Sequence, residues 1–354
     1  MTTTETKNTP HSHREGYKVI QIHPTLNCNL KCLHCYSESA PGLKGQLEIG
    51  ALNDFLSSAF DEGYNSIAVS GGDPFLYHDL DKLLKYTFAA GYYNSITTNG
   101  GLLKSIRNQE LLQYVNLVAV SIDGYKEEHN FIRNNVAAFD HMLGALEVLR
   151  KHKTNFGLIH MLHNEPIEVL SWLCEFAIAE KAGLVHLHPV EIMGRANTIA
   201  AKLELTEEMK HQFYILFQYY KQKYDGKLKM QLDLIHRDHI LEFPQLAYQY
   251  NCTDICDTNY FRELIIDEKG TILPVTYGMP LRFSLGTIYE GIPLKEMIRR
   301  YHSIKLPALR NLYSDVFNAV RNDEEHELIN FPEEVVLYAK ASWKESVFRE
   351  LSLK

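Results

Sequence analysis

No stretch of this chain is apolar for the roughly 20 residues that a helical bilayer crossing needs, so a helical membrane protein is excluded. Positive charge is also short. Thirty-six Lys and Arg against 44 Asp and Glu leave a net charge of −8, where binding to nucleic acid or an anionic membrane wants a clustered basic surface. The opening MTTTETKNTPHSHREG lacks the apolar segment of a secretory signal, so residues 1–17 read as a flexible polar tail and the expected location is cytoplasmic. The six cysteines in 354 residues are too few for a disulfide scaffold, and no repeat or low-complexity tract appears.

What is present is an uneven distribution of those cysteines. Cys28, Cys32 and Cys35 fall within eight residues, Cys252 and Cys256 form a looser pair, and Cys174 sits in a helical pattern that suits packing. Short β-branched runs at 18–23, 66–70, 94–98, 117–122, 155–161 and 184–190 alternate with helical periodicity near 48–62, 79–90, 103–113, 137–152 and 166–181. Near-continuous apolar strands between helices predict a parallel sheet covered on its faces. Six such repeats are fewer than the eight of a closed barrel, so the expectation is an α/β fold built on an open, partial (β/α)6 barrel, with chemistry at the carboxyl ends of its strands. Beyond residue 201 the pattern changes to a helix near 205–224, a hairpin pairing 263–267 with 271–275, and helices near 292–303 and 332–350.

The segment Cys28-Asn-Leu-Lys-Cys32-Leu-His-Cys35 follows the first strand directly. Thiolates are soft ligands that suit zinc or iron–sulfur clusters. Three ligands rather than four leave one metal corner open, which separates a catalytic centre from a closed structural one. The competing reading is structural zinc, held by these cysteines with His34 or a distant residue.

This C-x3-C-x2-C loop resembles the signature of the radical S-adenosylmethionine (SAM) superfamily, and the motifs that follow support the resemblance. It implies a [4Fe–4S] cluster on Cys28, Cys32 and Cys35, with SAM on the open iron and reductive cleavage of SAM to a 5′-deoxyadenosyl radical. Tyr36 would pack near the adenine, and His34 takes a position where an aromatic is common. Ser70-Gly71-Gly72-Asp73-Pro74 resembles the family's GGE motif for the SAM amino group, with Asp73 for the usual Glu. Thr97-Thr98-Asn99-Gly100 resembles its TNG segment, which places Thr98 and Asn99 in the cofactor pocket. Ser121-Ile-Asp123-Gly, followed by His129 and Ile132-Arg133, resembles the S-x-D-G…H-x-x-I-R pattern of relatives with a C-terminal SPASM domain. There the serine and arginine hold the cofactor's ribose and carboxylate, roles that pass to Ser121 and Arg133. Asp123 either caps the next helix or orients Arg133. His186 and His188 point to one face of the sixth strand. The bland reading is satisfied core histidines; His188 is nonetheless counted in the pocket with Arg195 of the turn Gly194-Arg195-Ala196. His160 and His163 stand on similar terms.

The hairpin Leu264–Pro274 and Ser284-Leu-Gly-Thr-Ile288 resemble a SPASM or twitch domain, which binds auxiliary clusters in relatives. Val275 stands where a ligand cysteine is expected, and no cysteine follows Cys256. The expectation is a small, degenerate α+β SPASM-like region without an auxiliary cluster. The expected organisation is a tail at 1–17, the barrel at 18–200, a helical connector at 201–251, the SPASM-like region at 252–305 and a helical segment at 306–354.

Relatives with this arrangement are mostly maturases of ribosomally made peptides. The resemblance therefore implies radical modification of a precursor peptide or protein, an external electron donor of flavodoxin or ferredoxin type, and leader recognition by the C-terminal region or a separate leader-peptide-binding protein, since the tail is too short for a fused one. The alternatives are a small-molecule substrate in cofactor or natural-product biosynthesis, or a non-catalytic iron–sulfur or zinc protein.

Overall fold

The computed structural model describes residues 18–244 and 261–352, the last eleven of these by backbone alone. Cys252, Cys256 and the polar tail lie outside the described residues. Six strands alternate with helices as expected: β1 (Val19–Ile22), β2 (Ser66–Val69), β3 (Tyr93–Thr98), β4 (Leu117–Ile122), β5 (Phe156–Leu162) and β6 (Leu184–Pro189). Each pairs in parallel with the next. The helices Ile49–Asp61, Leu80–Ala89, Ala138–His152 and Glu168–Glu180 form the main crossovers. Their starts and stops follow local chemistry. Glu48 accepts from the Gly50 and Ala51 amides at the first helix, while Lys153 and Lys181 end the last two in the left-handed region (φ 55° and 64°). The alternate side chains of β4 and β5 that face these helices are fully buried, among them Val118, Val120, Leu158 and Leu162.

The parallel sheet continues past the sixth strand. The helix Glu207–Lys223 returns the chain to β7 (Lys229–Leu232), parallel to β6, so the stretch expected as a helical connector also supplies a strand. Next come β8 (Ile235–His236), β9 (Glu263–Ile266), β10 (Thr271–Pro274), β11 (Gly286–Thr287) and β12 (Leu328–Ile329). β9 pairs in parallel with β1 from its outer side, and β10 and β11 follow antiparallel. One ten-stranded sheet results, in the order β11-β10-β9-β1-β2-β3-β4-β5-β6-β7, with β7 and β11 at its open ends. β8 and β12 form a separate small pair. A helix at Leu306–Asn322, within the segment expected to be helical, buries Leu309, Leu312, Val316 and Phe317 on one face.

Candidate active site

The loop leaving β1 carries the three cysteines, all free, with Cys28 and Cys32 buried and Cys35 half-buried. Backbone bonds fix it from several sides: Cys28 N donates to Ala40 O (3.2 Å) and Leu33 N to Ile132 O (2.8 Å). Arg195 braces it further, with Nε donating to Cys32 O at 2.8 Å and Nη2 to Ser39 O at 2.7 Å. Gly194 (φ 56°) lies so close that a Cβ there would stand 2.4 Å from Tyr36 O. On the opposite side, a Cβ on Gly72 would stand 2.1 Å from Asn27 O. These glycines let two strand-end turns press their backbones against the cysteine loop.

The sulfurs meet N–H donors. Leu30 N approaches Cys28 Sγ at 3.4 Å, Asn99 Nδ2 the same sulfur at 3.7 Å, and Arg133 Nη1 approaches Cys32 Sγ at 3.9 Å. Burial nevertheless pushes the Cys28 thiol up to about 12, and it raises Cys32 against the opposing charge of Arg133. Bare, these would be thiols; metal coordination is what deprotonates such a ligand. Spacing separates the two metal readings. A single tetrahedral zinc holds its sulfurs about 2.3 Å from the ion, hence within about 4 Å of one another. Among the described residues, the only sets of three His, Cys, Asp or Glu whose ligand atoms all lie within 4.8 Å are His160–His163–Glu165 and His186–His188–Asp233. The three cysteine sulfurs do not all lie within that distance of one another. His34 turns Nε2 toward Asp123 (3.8 Å), and burial pushes it down to about 3, so it is a neutral packing group.

The loop forms one wall of a cavity of about 660 Å³ at the carboxyl ends of the parallel strands. Every residue expected at the site lines it except Asp73 and Pro74. Asp73 is fully buried beneath the wall, where its carboxylate accepts from Thr98 Oγ1 (2.7 Å), Phe75 N (3.1 Å) and Asn99 N (3.3 Å). It holds two strand ends together and caps the short helix starting at Pro74. Asn99 bonds Asn29 Oδ1 at 2.8 Å, tying the end of β3 to the cysteine loop.

Arg133 is anchored by a group the sequence reading left between two roles. Asp123, wholly buried, takes Nε at 2.5 Å and Nη2 at 3.1 Å, a bidentate clamp. Burial works against its charge, yet Arg133 outweighs it and holds the carboxyl well below the usual range. Asp123 therefore orients Arg133. Tyr36 faces Tyr277 edge-on (centroids 5.3 Å), and Tyr277 stacks on His23 (4.5 Å). Val275 sits in a γ-turn closed by Thr276 N donating to Pro274 O (3.0 Å), at φ 75°, a strained conformation for a β-branched residue.

His186 and His188 both reach Asp233 Oδ2, at 2.6 and 2.8 Å. Asp233 follows β7 and carried no signal in the sequence, nor did Glu191 or Tyr277. His160 and His163 lie away from the cavity. His160 bonds Ile122 O (3.0 Å) and Glu165 (2.6 Å), and His163 bonds Met161 O (3.0 Å), so both act within the core.

Residues 22–177 match the Radical SAM superfamily profile. It is similar to the antilisterial bacteriocin subtilosin biosynthesis protein AlbA of Bacillus subtilis, 24% identical over 295 residues, covering 80% of this chain and 61% of AlbA. It is also similar to an AdoMet-dependent heme synthase of Methanosarcina barkeri, 29% identical over 48% of this chain and 49% of the relative. The chain thus spans about half to three-fifths of the length of these two relatives. The solved structure of anSMEcpe with bound AdoMet and Cp18Cys peptide superposes with a TM-score of 0.62 at 18% identity, covering 95% of this chain and 99% of that one, a likeness of fold. The superfamily's cofactors are a [4Fe–4S] cluster and SAM, and the three free cysteines of the loop are of the ligand type such a cluster takes.

Proposed function

We propose that this chain is a radical SAM enzyme that modifies a ribosomally made peptide or protein by hydrogen abstraction. The observation that carries the reading is the spread of three free cysteines from one loop along the wall of the strand-end cavity. When bound together, the cluster and SAM supply reductive cleavage to a 5′-deoxyadenosyl radical. The chain's own residues do the positioning. Cys28, Cys32 and Cys35 hold three irons. Arg133, aimed by Asp123, presents a fixed cation to the cofactor's carboxylate, and Ser121 offers a hydroxyl to its ribose. Tyr36, braced by Tyr277, gives an apolar face for the adenine, and the Gly71–Asp73 turn sets the wall at the amino group. His188 and Arg195 complete the pocket, Arg195 through the loop carbonyls it binds.

A peptide substrate is supported by the similarity to AlbA, a bacteriocin biosynthesis protein, and by the peptide bound in the anSMEcpe structure. Similarity to heme synthases favours a small-molecule substrate as the second reading. Val275 in place of a ligand cysteine supports a C-terminal region with no auxiliary cluster, so a redox-neutral outcome is expected. Reduction comes from a flavodoxin- or ferredoxin-type donor, and leader recognition from the C-terminal region or a separate protein. Among the described residues, no helix is long and apolar enough to cross a membrane. The test is anaerobic reconstitution with dithionite and SAM: 5′-deoxyadenosine should form with the intact chain and not with Cys32→Ala. Its absence from the cluster-loaded intact chain would defeat the proposal.

A further inference from the structure

Across the cavity from the cysteine loop, β6 and the residue after β7 bring two imidazoles and a carboxylate to one point. His186 and His188 stand on the same face of β6, two residues apart. Asp233 is carried there by the β6–β7 pairing, where His186 lies opposite Gln231 and Leu187 opposite Leu232. Its own amide donates to Leu187 O at 3.1 Å, which locks it beside the two histidines. All three side chains are accessible from the cavity, at 20%, 38% and 27%.

We infer that His186 Nε2, His188 Nδ1 and Asp233 Oδ2 form a second metal site for a divalent transition ion such as zinc, separate from the cysteine loop and with its remaining positions open to the cavity. Two imidazoles and one carboxylate are a donor set suited to Zn²⁺ and Fe²⁺. Their ligand atoms lie within 4.8 Å of one another, as one ion requires.

The bonds around His188 and Asp233 are those of a site built for metal. A ligating histidine donates its other ring N–H to a carboxylate or carbonyl, and a ligating carboxylate has its second oxygen hydrogen-bonded. Here Glu191 Oε1 stands 3.3 Å from His188 Nε2, leaving Nδ1 to face the centre. Gln231 Nε2 donates to Asp233 Oδ1 at 3.2 Å, leaving Oδ2 to the centre. The charge around it points the same way. Glu263 lies within the field of Asp233, and Glu333 within that of Glu191, while Lys340 answers Glu191 and Glu333. A bound divalent cation would offset the carboxylates of Asp233 and Glu191 beside the two imidazoles. The other such group, His160–His163–Glu165, is sealed in the core away from the cavity, so an ion there would have no open position.

An ion at this point would face the cavity that the cysteine loop also lines, and its open positions would take a carboxylate, carbonyl or thiolate of the substrate. That anchoring role rests on the proposed function; the metal site itself does not. The experiment separates them. The full chain, loaded with its cluster, is incubated with Zn²⁺ and desalted, and zinc per chain is measured beside the Cys28→Ala/Cys32→Ala/Cys35→Ala variant, which cannot place zinc on the loop. Both should hold about one equivalent, and His186→Ala and Asp233→Asn should each weaken zinc binding at least about 100-fold, with cluster iron and far-ultraviolet dichroism retained. Zinc that fails to bind the cluster-loaded chain, or binding indifferent to His186→Ala and Asp233→Asn, would overturn the site and leave the three side chains a hydrogen-bonded triad. Should the cysteine variant fail to fold, the comparison within the cluster-loaded chain decides alone. Formation of 5′-deoxyadenosine is scored separately, so failure of the radical chemistry is not mistaken for failure of the metal site.

Discussion

Replacing Asp123 by Asn is the sharpest perturbation of the cofactor wall that leaves every cysteine in place. The carboxylate is wholly buried and takes two N–H groups of a guanidinium whose side chain is 11% exposed. Asn preserves shape but not charge, so Arg133 is left as an uncompensated cation beside Cys32. Removing one partner of a buried pair costs about 3–5 kcal/mol, whereas replacing both with neutral groups costs far less. Urea denaturation of the apo chain should therefore show Asp123→Asn destabilised by about 3 kcal/mol or more. The double variant Asp123→Asn/Arg133→Gln should recover much of the loss, as a coupling energy of roughly 2–3 kcal/mol. The sign of the pH dependence follows from the depressed carboxyl. Its folded value lies below the unfolded one, near 3.9, so the contribution is fully present above about pH 4 and fades only as pH falls below it. A loss under about 1 kcal/mol in Asp123→Asn, or no recovery in the double variant, would refute the clamp.

Other expectations follow from single contacts. Thr98→Val removes the 2.7 Å bond to buried Asp73 and should cost about 1–3 kcal/mol in the same unfolding assay. Gly194→Ala, at φ 56° with Tyr36 O in the way, should lower cluster occupancy, read as iron per chain after reconstitution, without altering any ligand. The reconstituted chain should carry about four irons, and roughly eight or more would show that the C-terminal region holds a further cluster after all.

The parallel core was legible because strands covered on both faces must be apolar along their whole length, and the cysteine loop was legible because ligand spacing is local. What could not be read is what long-range pairing creates. β7 offers only Met230 and Leu232 as apolar residues in four, too brief a signal, so Asp233 went unnoticed as the partner of His186 and His188. β9 lies beside β1 across more than two hundred residues of chain, and no periodicity announces that. The helix Leu306–Asn322 shows apolar residues at helical spacing and falls in the segment read as helical, though its bounds were not. Arg195 and Asp73 were singled out for the cofactor, yet their side chains bond the protein: short motifs mark a neighbourhood, while hydrogen-bond geometry assigns the task.

The proposed radical chemistry turns on one iron without a protein ligand. Electron–nuclear double resonance of the reduced cluster, with SAM labelled by ¹⁵N at the amino group and ¹⁷O at the carboxylate, tests this directly. Hyperfine coupling to both labels is the predicted result, lost in Cys32→Ala together with the cluster. A reduced cluster whose spectrum shows neither coupling in saturating SAM would mean that the fourth corner is already taken, contradicting the account.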